Sequence, residues 1–111
     1  MCLVVQIESR AALDNLDAIC AVPGVDAAFI GPSDLANDMG HRGNATHPEV
    51  RDAMQDALAR IRAAGKAPGI LGLDPETTRT YRDWGAQMLG VGIDVVLFAN
   101  AARALAAAWK P

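Results

Sequence analysis

No stretch of the 111-residue chain holds the roughly 18–20 consecutive apolar residues that a membrane-spanning helix needs. The N-terminal residues show neither the basic start nor the apolar core of a secretory leader. Basic residues are scattered: ten Lys and Arg against thirteen Asp and Glu leave a net charge of −3. That balance removes the electrostatic grip required for nucleic acid or an anionic membrane surface. Cysteine is limited to Cys2 and Cys20 with no Cys-x-x-Cys pair. A thiolate zinc site or redox motif is therefore excluded, and both thiols are expected reduced and at least half-buried in a cytoplasmic protein. Low-complexity segments, domain linkers and sequence repeats are also missing. What remains is ordinary globular composition, 51% apolar and 21% charged, sufficient for one compact domain over residues 1–111.

Leu3-Val4-Val5-Gln6-Ile7 is an almost continuous apolar run rich in β-branched residues, as a strand covered on both faces requires. Ser9 is placed to cap a following helix whose stripe is Leu13, Leu16, Ile19 and Cys20, ended by Pro23-Gly24. Ala27 to Ile30 reads as a second strand, halted by Gly31-Pro32, and a Gly- and Asn-rich loop spans about Asn37 to Thr46. Thr46 and Glu49 have capping-box spacing around Pro48, and Val50, Met54, Ala57, Leu58 and Ile61 line one helical face up to Gly65. Ala67 to Leu71 forms a third strand with its proline near the start. Asp74-Pro75 opens a helix stopped by Gly85, and Ala86 to Val91 is a fourth strand. Asp94 or Asn100 caps part of a final Ala-rich helix with Leu97, Ala101, Leu105 and Trp109 as its expected inner face. Trp84, Trp109, Met54 and Tyr81 read as packing residues.

The order β-α-β-α-β-α-β-α implies parallel strands joined by right-handed crossovers. Four such units are half of the eight that close a (β/α)8 barrel, and an open four-stranded sheet would leave both outer edges unpaired. Glu8 closes the first strand and Asp34 follows the second, so parallel strands bring both carboxylates to the C-terminal edge of the sheet, where such folds place their chemistry. Two hard oxygen ligands there suit Mg²⁺ or Mn²⁺ better than Zn²⁺. The plainer alternative is that each carboxylate stabilises a helix N-terminus.

The segments Val5-Gln6-Ile7-Glu8-Ser9, Phe29-Ile30-Gly31-Pro32-Ser33-Asp34-Leu35, His47-Pro48-Glu49-Val50, Gly65-Lys66-Ala67-Pro68-Gly69-Ile70-Leu71 and Val91-Gly92-Ile93-Asp94, with Gly24-Val25-Asp26 and Gly40-His41-Arg42-Gly43-Asn44 between them, resemble one family in order and spacing. It is the HpcH/HpaI aldolase/citrate lyase family of metal-dependent pyruvate aldolases, and the 2-dehydro-3-deoxyglucarate and 4-hydroxy-2-oxoheptanedioate aldolase branches are the nearest. The resemblance implies that this chain is the C-terminal half of a TIM barrel. It implies Glu8 and Asp34 as ligands of Mg²⁺ or Mn²⁺, with Co²⁺ as a further fit. It assigns the pyruvyl carboxylate to backbone amides at Ser33 and Asp34, Leu71 to the wall of the pyruvate pocket and Gln6 to its floor. The implied reaction is aldol cleavage or condensation of a 2-keto-3-deoxy sugar acid or 4-hydroxy-2-oxo acid, giving pyruvate and an aldehyde.

The family's general-base histidine and keto-oxygen arginine have no counterpart here, since His41, His47 and Arg42 do not match them. A complementary N-terminal half-barrel is therefore an expected partner, and a homo-oligomer contacted through the last helix is expected from the family. A non-catalytic half-barrel that binds or assembles is the alternative reading. His41 and His47 lie six residues apart; a metal pair is weighed against His47 simply filling the first turn before Pro48, and His41 against contact with substrate or a neighbouring subunit. Gly90-Val91-Gly92 is too short to establish a phosphate-binding turn.

Overall fold

A computed structural model describes residues 1–110. Four parallel strands form one sheet in the order β1-β2-β3-β4: β1 Val4–Ile7, β2 Ala27–Ile30, β3 Ala67–Leu71 and β4 Met88–Gly90. Between and after them lie α1 Arg10–Asp14, α2 Leu16–Ala21, α3 Pro32–Asp38, α4 Pro48–Ala63, α5 Pro75–Asp83 and α6 Asp94–Ala108. Sequential order with every pair parallel is the arrangement of consecutive strands in a (β/α) barrel, in contrast to the reversed order of a doubly wound sheet. The right-handed rule for each crossover then places the connecting helices on one face of the sheet.

The register sorts the side chains into two faces. Ile7 pairs with Ile30 and Ile30 with Ile70, which itself faces Leu89 across β4. This row packs toward the helices, and its three isoleucines are fully buried together with Leu16, Leu35, Met54, Leu58 and Ile61. Burial of each such side chain stabilises the fold by about 1.5–3 kcal/mol. On the opposite face the row is Gln6, Phe29, Gly69 and Met88. A Cβ at Gly69 would lie 2.5 Å from Phe29 Cδ2, so the aromatic ring rests where glycine alone leaves room. Two residues further on, Leu71 leans over Gly90 in the same way, with 3.0 Å between Leu71 Cδ1 and the place of a Cβ.

The ends of the elements follow local chemistry. Ser9 Oγ accepts from the Ala12 amide at 3.1 Å and caps α1, as read from the sequence. Asp74 Oδ1 accepts from the Thr77 amide at 2.9 Å and caps α5. Gly65 and Gly85 follow the last turns of α4 and α5 at φ +73° and +100°. The expected capping box at Thr46 is not formed. The cap of α4 is His47, whose Nδ1 accepts from the Glu49 amide, while Thr46 Oγ1 donates to Asn44 Oδ1. The single helix expected after Ser9 is divided at Asn15 into α1 and α2, of which α2 buries Leu16 and Cys20. The fourth strand is shorter than Ala86–Val91, because only Met88–Gly90 keeps register with β3.

Two expectations about burial are corrected. Cys2 is exposed, since it precedes β1 with nothing packed over it; Cys20 is buried, and burial raises its thiol pKa above the usual value. The inner face assigned to α6 is open: Leu97, Leu105 and Trp109 are 64%, 65% and 83% exposed, and no residue of α6 is buried. The Ala-rich sequence supports the helix by propensity, but the described residues supply no surface for it to cover. Met54 and Tyr81 are buried and Trp84 half-buried, with Arg51 stacked over the Trp84 ring, so the packing role holds for these three and fails for Trp109.

Candidate functional site

The C-terminal edge of the sheet collects the residues singled out in the sequence. Glu8 follows β1 directly, and its alternation with Ile7 puts it on the face that carries Gln6 and Phe29. Gly31 follows β2, its amide donating to the Ile7 carbonyl at 3.0 Å, and α3 starts at Pro32 with Ser33 and Asp34 in its first turn. Proline at that position loses no helical hydrogen bond and fixes the backbone for the turn.

Gly31 shows how closely these pieces meet. A Cβ there would stand 3.2 Å from Glu8 Oε2, 3.3 Å from Glu8 Cβ and 3.3 Å from Gln6 Nε2. The Glu8 and Gln6 side chains therefore lie across the glycine that begins α3, and bring their polar ends to the helix that holds Asp34. Gly31 itself adopts φ −95° and ψ 95°, which any residue tolerates, so its small size serves this close approach. Among the described residues neither Glu8 nor Asp34 forms an ion pair, and both are exposed. Carboxylates are hard oxygen donors, of the kind that would suit Mg²⁺ or Mn²⁺ better than a softer ion.

Ser33 and Leu71 meet at a second feature of this edge, a cavity of about 140 Å³ walled by Pro32, Ser33, Ala45, Thr46, Leu71, Leu73 and Tyr81 among others. Among the described residues Ser33 has no hydrogen bond to a basic side chain, which leaves its amide as the group of interest.

The loop between α3 and α4 meets the starts of α1 and α4 in a polar cluster, of which the sequence offered only the pair His41 and His47. Glu49 sits between Arg10, at 2.9 Å from its Oε1, and His41, at 2.8 Å from its Oε2. These two hydrogen bonds, the histidine's first, hold the Glu49 carboxyl below the usual carboxylate range. Arg10 also donates to the Met39 carbonyl, and its amide donates to Asp38 Oδ2. The His41 and His47 rings stack with centroids 3.7 Å apart. A His-Pro step at the start of an apolar helical stripe could have indicated the His47 cap; the return of His41 onto Glu49 depends on the loop's path and left no sequence signal.

Among the described residues no helix is long and apolar enough to cross a membrane. The family model for HpcH/HpaI aldolase/citrate lyase matches residues 1–101. A hydroxypyruvate/pyruvate aldolase of Roseovarius nubinhibens is 61% identical over 110 residues, which are 99% of this chain and 43% of that protein. A 4-hydroxy-2-oxo-heptane-1,7-dioate aldolase of Klebsiella pneumoniae is 54% identical over 107 residues, 96% of this chain and 40% of its own. The crystal structure of an HpcH/HpaI aldolase/citrate lyase family protein from Burkholderia cenocepacia superposes with a TM-score of 0.89 at 40% identity, over 99% of this chain and 43% of the other. The chain thus spans about two fifths of the length of these relatives, and its four parallel βα units are part of their TIM-barrel fold. By the match along residues 1–101 and by fold, the chain belongs to the HpcH/HpaI aldolase/citrate lyase family.

Proposed function

We propose that the chain is the metal-binding half of a class II pyruvate aldolase, a carbon–carbon lyase that makes or breaks the bond between a pyruvyl carbon and an aldehyde. The observation that carries this reading is the convergence of Glu8 and Gln6 over Gly31, at the start of the helix bearing Ser33 and Asp34. The names of the relatives support aldolase chemistry with hydroxypyruvate, pyruvate or a 4-hydroxy-2-oxo acid as the keto-acid class.

In this reading Glu8 and Asp34 hold Mg²⁺ or Mn²⁺, which when bound supplies Lewis-acid stabilisation of the charge on the keto oxygen. The amides of Ser33 and Asp34 orient the substrate carboxylate at the N-terminal end of α3, where backbone N–H groups are free. Gln6 offers an amide at the floor, and Leu71 excludes water from the side of the methyl group. The groups that move the proton and contact the keto oxygen come from a complementary N-terminal half-barrel. That half covers the face of Gln6, Phe29 and Met88, which no helix among the described residues covers.

Metal titration tests the proposal directly. Glu8→Gln and Asp34→Asn each abolish Mg²⁺ and Mn²⁺ binding while the far-ultraviolet circular dichroism stays that of the parent. Unchanged affinity in both variants would overturn it. With the complement present, metal-dependent exchange of pyruvate methyl protons in D₂O reports enolisation and is lost in Glu8→Gln.

A further inference from the structure

We propose a second metal site on this chain, formed by His41, His47 and Glu49 and selective for a borderline divalent ion such as Zn²⁺. It shares no residue with the Glu8 and Asp34 pair. One ligand atom from each of the three residues lies within 4.8 Å of the other two. A point shared by three such atoms is no more than about 2.8 Å from each, so contraction by less than about 0.8 Å reaches the 2.0–2.1 Å bonds of zinc to imidazole and carboxylate. Two imidazoles and one carboxylate are a zinc donor set that leaves a fourth position open, and they discriminate against Mg²⁺, which prefers oxygen.

The surroundings favour the carboxylate as a ligand. Arg10 holds Glu49 Oε1 at 2.9 Å and is itself fixed by the Met39 carbonyl at 3.2 Å. The other oxygen, Oε2, faces His41 Nε2 at 2.8 Å. Ligating carboxylates are commonly held from behind in this manner by an outer hydrogen-bond donor. His41 has only 19% of its side chain exposed, whereas Glu49 has 48%, so the cluster is sheltered yet reachable from solvent.

Binding has a definite structural consequence. The lone pairs of two stacked rings run side by side and do not converge, so the His41–His47 stack at 3.7 Å opens when both bind one ion. His47 also caps α4 through Nδ1, at 3.3 Å from the Glu49 amide. Coordination through Nδ1 takes that lone pair, and coordination through Nε2 moves the ring proton onto Nδ1; either way the cap is released. The loop between these histidines carries Ala45, and Thr46 adjoins His47; both line the 140 Å³ cavity beside Ser33 and Leu71. Occupancy of the cluster therefore shifts one wall of that cavity.

The test is a Co²⁺ titration of tag-free chain read by visible d–d absorption. It is run with the hard site saturated by Mg²⁺ and again in Glu8→Gln/Asp34→Asn. One Co²⁺ per chain with tetrahedral absorption, displaced by Zn²⁺, is expected in both. His47→Asn retains a good helix cap and so keeps α4 folded, yet it lowers Co²⁺ affinity at least tenfold, as does His41→Gln. Zn²⁺ moves the Glu49 backbone amide resonance. Absence of binding under Mg²⁺, affinity unchanged in His47→Asn and His41→Gln, or a Glu49 amide that does not respond to Zn²⁺ overturns the proposal.

Discussion

Gly31→Ala isolates the contribution of one missing methyl group to the candidate metal centre. The backbone angles at Gly31 accept alanine without strain, and its amide hydrogen bond to Ile7 is unaffected, so the fold is retained. The new Cβ would stand 3.2 Å from Glu8 Oε2 and 3.3 Å from Glu8 Cβ. Ordinary van der Waals contact between such atoms lies near 3.5–4.0 Å. The Glu8 carboxylate must give way by a few tenths of an ångström, roughly, a displacement that a near-ideal octahedral shell at 2.0–2.1 Å tolerates poorly. Perturbations one layer behind the ligands cost about 10–100-fold in metal affinity, equivalent to about 1.4–2.8 kcal/mol. Ca²⁺, with its longer and more flexible coordination, should lose less than Mg²⁺. The assay is titration with Mn²⁺, following the free-ion electron paramagnetic resonance signal, and competition by Mg²⁺ and Ca²⁺. Mg²⁺ affinity within twofold of the parent, in a variant with parental unfolding behaviour, would refute the argument that Glu8 binds metal from above Gly31.

Gly69→Ala tests the packing of the inner face: with the added Cβ 2.5 Å from Phe29 Cδ2, overpacking costs about 1–3 kcal/mol in denaturant unfolding. Combined with Phe29→Ala, the alanine at 69 finds space, so the double variant is more stable than the sum of the singles requires; additive effects would show that the ring does not rest on Gly69. Asp74 makes a pH-dependent contribution to stability, because the Thr77 amide, and after it the Thr77 side chain, lower its pKa from the ordinary 3.8. A depressed carboxyl stabilises the fold above its unfolded pKa and loses that contribution as pH falls through the folded value. Carboxyl-carbon NMR should place the Asp74 titration below 3.8, and Asp74→Asn should keep the α5 cap while removing this part of the acid dependence; a midpoint at or above 3.8 would contradict the cap.

Local chemistry was the most legible part of this chain. Ser9, Asp74-Pro75, Gly65 and Gly85 identify element ends because each meets a nearby backbone requirement that no distant contact overrides. The apolar runs at Leu3–Ile7, Ala27–Ile30 and Ala67–Leu71 also identified strands, the first of them starting one residue later, at Val4, and β-α alternation implied that they are parallel. The cap of α4 was misplaced because Thr46 and His47 are adjacent candidates, and the side chain that reaches the Glu49 amide is decided by the loop. The break at Asn15 escaped notice since the stripe Leu13, Leu16, Ile19 keeps helical spacing through it. Glu8, Gln6, Ser33, Asp34 and Leu71 were singled out by resemblance and by the edge argument. The structure brings Glu8 and Gln6 to the glycine before Ser33 and Asp34, and Ser33 and Leu71 to a common cavity.

The failed expectation for α6 and the placement of the site have one physical cause. Leu97, Leu105 and Trp109 have the spacing of a packed helix, and periodicity records that a surface is to be covered without recording which chain covers it. The same holds for the sheet, where the Ile7, Ile30 and Ile70 row is sealed by helices while Val4 is exposed and Phe29, Leu71 and Met88 are half-exposed. Gln6, Glu8 and Leu71 belong to this open face. In a barrel that face turns inward, so the layer of strands that would cover Phe29 and Met88 is also the layer that would stand opposite Glu8 and Asp34. Supplying a complementary βα half in trans should therefore reduce the exposure of Phe29 and Met88 and complete the site in the same step. Hydrogen exchange at β1 and β4 and pyruvate methyl exchange should respond at the same complement concentration. Protection of the strands at concentrations that leave pyruvate exchange unchanged would separate assembly from catalysis and favour a binding module over an enzyme.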